Sequence, residues 1–166
     1  EFFGGTVNAS NLLVWAQGDD ALDIDQAYSG TIDNAVVVLG TNSDHAFEID
    51  GPEGTATGSF TLKNVTIVGN SVTENGEYAD YRSGATGTTE NIYAYGFKDT
   101  SDVELDNDVV ARNYNDGSLT FGAWEIVLPD GVSEVADIFV NKAETVDVSG
   151  FGSTATAVSE GASTVG

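Results

Sequence analysis

The sequence predicts an all-β chain: a parallel β-helix (a solenoid) of about five coils, with an irregular C-terminal segment. Three observations carry that expectation. Short apolar runs alternate between two faces instead of following a helical period. Two separate residue patterns recur and advance along the chain together. The recurring unit spans about 22 to 32 residues, too few to bury an apolar face alone, so units must stack. A leucine-rich repeat has a similar period, but its leucine consensus and its helix are missing.

The first pattern is acid–apolar–X. It reads EFF at Glu1–Phe3, DID at Asp23–Asp25, EID at Glu48–Asp50, DYR at Asp80–Arg82 and ELD at Glu104–Asp106. Coils stacked at the strand spacing of about 4.8 Å put Phe2, Ile24, Ile49, Tyr81 and Leu105 in one inward column. Tyr81 fits there only if its hydroxyl finds a partner.

The second pattern is a strand led by asparagine. NLLVW, NAVVV, NVTIV and NIYAY begin at Asn11, Asn34, Asn64 and Asn91, at spacings of 23, 30 and 27 residues. The first and third residues after each Asn are apolar and face the core: Leu12 and Val14, Ala35 and Val37, Val65 and Ile67, Ile92 and Ala94. The four asparagines are expected to form a turn ladder, each amide bonding to the next, because Asn tolerates the left-handed conformation. Leu13, Val36, Thr66 and Tyr93 point outward, as do Trp15, Val38, Val68 and Tyr95. Such a column either stacks on sugar rings or is covered by a loop or neighbouring chain.

Coil-length differences map to loops, and the longest, from Gly69 to Asp80, is expected to project. Residues 117–127 read as a fifth coil without its Asn. The coils thus span 1–127, residues 128–148 form an irregular last coil or cap, and 149–166 read as a small-residue tail or linker. The first coil has no visible cap, so something outside these residues is expected to cover it: missing coils, another domain or a neighbouring copy packed end to end as in a filament.

Composition narrows the partners. Twenty-seven acids against five bases leave a net charge of −22. That field repels phosphate backbones and anionic lipid, which argues against nucleic acid and membrane insertion. There is no Cys and no Met, so disulfide and thiolate chemistry are absent, and the chain reads as a mature or excised piece.

The stretch EFFGGTVNASNLLVWAQGDDALDID, Glu1–Asp25, resembles the coils of right-handed parallel β-helix, pectin-lyase-like surface and secreted proteins of the Bacteroidota. The resemblance covers roughly Glu1 to Val127. It implies a right-handed coil and export to the extracellular space or outer cell surface. It implies no particular activity.

Two constellations carry possible chemistry. In the acidic one, like charges about 5 Å apart repel by roughly 0.8 kcal/mol in water. Arg82, in the column of Asp25, Asp50 and Asp106, relieves part of this as an ion-pair ladder. Calcium would relieve more, since it takes six to eight oxygens. Asp19, Asp20, Asp23, Asp44 and Glu48 are the candidate ligands, although no EF-hand or nonapeptide calcium repeat is present. The other reading is a solvated acidic face.

The second constellation is Asp19, Asp20 and His45. His45 is the only histidine and follows Asp20 by 25 residues, about one coil. The arrangement resembles polygalacturonase-type glycoside hydrolases, in which one carboxyl protonates the leaving oxygen and another activates water. Against it, EFFGG stands where those enzymes carry Asn-Thr-Asp, and their Arg-x-Lys is absent. The acidic surface also suits a polyanionic glycan poorly. A lyase would need a basic residue above calcium, and Lys63, Lys98 and Lys142 are scattered. The expectation is therefore a non-catalytic, structural or adhesive surface module that is calcium-bridged or glycan-binding. The alternative is a glycoside hydrolase acting through Asp19, Asp20 and His45.

Overall fold

A computed structural model describes residues 1–72 and 76–165. In chain order the strands begin with β1 (Phe2–Phe3), β2 (Ala9–Trp15), β3 (Leu22–Asp25), β4 (Thr31–Val38), β5 (His45–Asp50) and β6 (Phe60–Val68). They continue with β7 (Glu77–Arg82), β8 (Gly87–Tyr95) and β9 (Val103–Leu105). After helix α1 (Asp108–Asp116) come β10 (Leu119–Phe121), β11 (Trp124–Ile126), β12 (Phe139–Asn141) and β13 (Ala155–Ala157).

Among the described residues the fold is all-β apart from α1 and a short 3-10 turn at Val135–Ile138. Every strand pairing is parallel. One sheet has the order β1-β3-β5-β7-β9-β12, and the other β13-β11-β8-β6-β4-β2, with β10 also pairing β8. From β1 to β9 the chain alternates between the two sheets, so each strand's neighbour lies two elements away in sequence. Apolar side chains from both sheets meet between them.

The acid–apolar–X register holds. Phe2 pairs with Ile24, Ile24 with Ile49, Ile49 with Tyr81 and Tyr81 with Leu105. From Ile24 onward these side chains are fully buried, each contributing roughly 1.5–3 kcal/mol for an aliphatic side chain. The Tyr81 hydroxyl meets Thr89 Oγ1 at 2.7 Å, which supplies the partner its burial demands. In the second sheet Ala35, Val65, Ile92 and Trp124 stack in register, as do Val37, Ile67, Ala94 and Ile126. Trp124 thus takes the inward place in the strand that lacks an Asn.

Asn11, Asn34, Asn64 and Asn91 all sit at positive φ, between 56° and 62°. Their ladder is not continuous. Asn34 donates to Asn11 Oδ1 at 2.6 Å and Asn91 to Asn64 Oδ1 at 3.1 Å. Asn64 turns to Asp33 Oδ1 at 2.7 Å instead, because a carboxylate one strand back is a stronger acceptor than a neutral amide.

Helix α1 interrupts the expected run of strands. Asn107 caps it, its side chain accepting from the Val109 and Val110 amides, and Gly117 ends it at φ 81°. Val110 and Ala111 are buried, and Asn113 Nδ2 donates to the Gly84 and Ala85 carbonyls. The projecting loop expected over Gly69–Asp80 is shorter, since strand β7 already starts at Glu77; residues 73–75 lie outside the described residues.

Composition alone reads residues 149–166 as a tail, yet β13 pairs with β11 there. Phe151 lies 5.2 Å from the Phe139 ring and 5.1 Å from Phe121. Gly152, at φ 82°, passes so close to Phe139 that an added Cβ would lie 2.7 Å from the ring. Ser163 and Thr164 donate to the buried Glu125 carboxylate, which holds its pKa down near 2.

Candidate functional site

The outward face of the first sheet carries a column of carboxylates. Asp23, Glu48, Asp80 and Glu104 are successive register partners across β3, β5, β7 and β9. Period-2 alternation forces this outcome: with Ile24, Ile49, Tyr81 and Leu105 turned inward, the residue before each must face out.

Two cations lie against this column, Arg82 at Glu48 and Asp80 and Lys142 at Glu104. Arg82 contacts Glu48, and its Nε lies 3.2 Å from Asp50 Oδ2 and 3.4 Å from Asp80 Oδ2. The expected Arg82–Asp50 pairing is thus present, with Asp80 and Glu48 added to it. Lys142 contacts Glu104, and its Nζ lies 3.5 Å from Asp102 Oδ2. Asp23 has neither contact, and the Asp80 pKa is raised despite Arg82. Burial, with Glu1 beside it, pushes Asp23 up to about 6. Burial pushes Asp80 up to about 7, opposed by His45 and reinforced by Asp106 and Asp50.

His45 lies over Asp20, as the spacing of 25 residues predicts. Its Nδ1 is 2.6 Å from Asp20 Oδ1, and the same oxygen accepts the His45 backbone N–H at 3.0 Å. Asp44 Oδ1 is 3.8 Å from Nδ1, and Glu77 Oε2 is 3.7 Å from Nε2. Burial opposes the charge of both partners, but the hydrogen bonds win. The His45 pKa is raised and the Asp20 pKa lowered, so the contact favours the imidazolium–carboxylate form of the pair.

The five acids nominated from sequence do not converge on one point. Asp19, Asp20 and Asp44 offer oxygens within 4.8 Å of one another, and Asp20, His45 and Glu48 form a second group sharing Asp20. Asp23 belongs to neither. Two further groups, Glu77–Asp102–Glu104 and Asp80–Glu104–Asp106, lie toward the C-terminal end of the same sheet. The repeat pattern already put Asp80 and Glu104 in one column. What it did not reveal is the strand offset that brings Asp102 beside Glu77, where Tyr78 and Ala79 both donate to the Asp102 carbonyl.

Asp19 and Asp20 bring oxygens within 4.8 Å of each other; the two catalytic carboxyls of a glycosidase stand about 5–5.5 Å apart in retaining enzymes and about 6.5–9.5 Å apart in inverting ones. A general acid must also hold a proton near neutral pH, and the hydrogen bonds from His45 lower the Asp20 pKa. An open groove of about 590 Å³ lies elsewhere, lined by Pro52, Thr57, Ser59, Thr86, Thr88 and Ser118 among others. Those lining groups do not titrate in the ordinary pH range.

The outward face of the second sheet is apolar at one end. Leu13 and Trp15 are 68% and 70% exposed, and Val36 and Tyr95 are exposed as well. The Tyr93 and Tyr95 rings lie 5.5 Å apart.

The family model for the pectate-lyase-like beta helix domain matches residues 1–165. No curated protein and no solved structure matches the chain.

Proposed function

The chain belongs to the pectate-lyase-like beta helix family, and from that premise we propose that it is a non-catalytic structural or adhesive module of an extracellular or cell-surface protein. On this reading the alternating strands wind as a right-handed parallel β-helix, the hand that parallel crossovers take. Residues 1–127 supply the coils and the remainder closes the C-terminal end. The acidic sheet face binds divalent cations, and the exposed Trp15 and Tyr95 offer stacking platforms to a glycan or neighbouring subunit.

The observation that carries the non-catalytic reading is the closed Asp20–His45 pair, 2.6 Å between Nδ1 and Oδ1. Of the three groups a hydrolase would use, Asp20 and His45 are occupied by each other. The test is an assay of reducing ends and unsaturated products from neutral and acidic polysaccharides, with and without calcium. We expect no turnover from the wild-type chain. Turnover that disappears in Asp20→Asn would establish the hydrolase reading instead.

A further inference from the structure

We infer that two copies of this chain pair through the outward face of the second sheet, sheet against sheet, along the strand halves that follow the asparagines. The inference rests on the reading of the chain as a structural module, and it commits the Trp15 and Tyr95 face to a second copy of the chain.

The sequence sets this face apart. Residues 11–16, 34–40, 64–69 and 91–96 contain no acid and no base, in a chain with 27 acids and five bases. Register aligns their outward side chains in two rows across β2, β4, β6 and β8. One row is Leu13, Val36, Thr66 and Tyr93, and the other is Trp15, Val38, Val68 and Tyr95. Leu13 and Trp15 stand well out of the surface, and Val36 and Tyr95 are exposed beside them. At β11 the chain covers the same face itself. Glu125, the register partner of Tyr93, is buried there, bonded by Ser163 and Thr164. The acid of that row is thus shielded, and the uncharged strands are left open.

Charge, area and shape fit a second copy. Each copy carries a net charge of −22, so two copies repel wherever their acids meet and approach best where neither has any. The displayed apolar area is on the order of 600 Å². A standard interface buries about 800 Å² per partner, which the rim around these rows can complete. The face is tall at β2, with Leu13 and Trp15, and low at β6, with Thr66 and Val68. A two-fold axis running along β4 between the sheets lays β2 of one copy over β6 of the other. Each Trp15 then covers the partner's Val68, and each Leu13 covers the partner's Thr66. Large side chains oppose small ones, as two sheets about 10 Å apart require. The contact is isologous and closes at two copies.

The test is sedimentation velocity over rising protein concentration, at low and high sodium chloride and in chelator throughout. Four chains are compared: wild type, Trp15→Lys, Val68→Asp and the double variant, each checked for native circular dichroism. Both side chains point away from the core, and Trp15 is 70% exposed. We expect a wild-type dimer that tightens as salt screens the acids. Each single variant should weaken it at least tenfold. The double variant should recover affinity, because its new ammonium and carboxylate face each other across the two-fold axis. A wild type that stays monomeric overturns the inference, and binding of a neutral polysaccharide through Trp15 would then give the face to a glycan. A dimer unchanged in both single variants also overturns it. A double variant as weak as the single ones overturns the pairing of Trp15 with Val68. None of these outcomes reports turnover, so the non-catalytic reading stands or falls separately.

Discussion

Asn64 donates its side-chain amide to Asp33 across 2.7 Å. The asparagine stack is therefore two bonded pairs, Asn11–Asn34 and Asn64–Asn91, set apart by this contact. All four residues hold positive φ, which costs a residue with an ordinary Cβ about 1–2 kcal/mol. Asn34→Ala should lose that amount together with one amide hydrogen bond, and Asn34→Gly should lose less because glycine takes the conformation freely. Urea denaturation of the two variants checks it. Equal stability for Ala and Gly would contradict the strain argument.

Ile49 lies between Ile24 and Tyr81 in the inward column and is fully buried. Ile49→Asp places an unpaired carboxylate there, a loss of several kcal/mol. The chain should be unfolded or molten by near-ultraviolet circular dichroism. A cooperative melt near the wild-type temperature would contradict the register.

Much of this architecture was legible from residues alone, and the reasons are physical. Alternation with period 2 places Ile24, Ile49, Tyr81 and Leu105 inward and their acidic neighbours outward, because a slip of one residue would bury the acids. The single histidine at one-coil spacing from Asp20 located the ion pair. Helix α1 went unread because its apolar face is short: Val110 and Ala111 are its buried residues. Its termini were legible in principle, from Asn107 as an N-cap and Gly117 as the C-terminal stop. Packing of Phe151 against Phe139 and Phe121 was not readable, since a lone aromatic among small residues carries no period. The Asp80–Glu104–Asp106 group was half-visible. Its column was in the repeat, but where Arg82 and Lys142 reach depends on side-chain paths that spacing does not encode.

Asp23 carries a pH signature. Its pKa stands at about 6 in the folded chain against an ordinary 3.8, raised by burial and then by Glu1. A carboxyl whose folded value lies above its unfolded value binds its proton more firmly when folded. Its contribution is fully present below about pH 4 and is lost as pH rises through about 6. Asp23→Asn removes that loss. The variant should melt higher than wild type at pH 7.5 and match it near pH 3.5, in chelator throughout. An Asp23→Asn advantage that grows toward acid pH would contradict the sign.

The central claim, that Asp20 and His45 form a closed structural ion pair and not a catalytic acid and base, is tested most directly by proton NMR. His45 is the only histidine, so its ring C–H resonances report one titration without assignment. The pair predicts a midpoint above the ordinary 6.5 in the wild type, falling back in Asp20→Asn, with a loss of melting temperature in that variant. A wild-type His45 that titrates at or below 6.5, with the same midpoint in Asp20→Asn, would show the imidazole free of Asp20 and contradict the account.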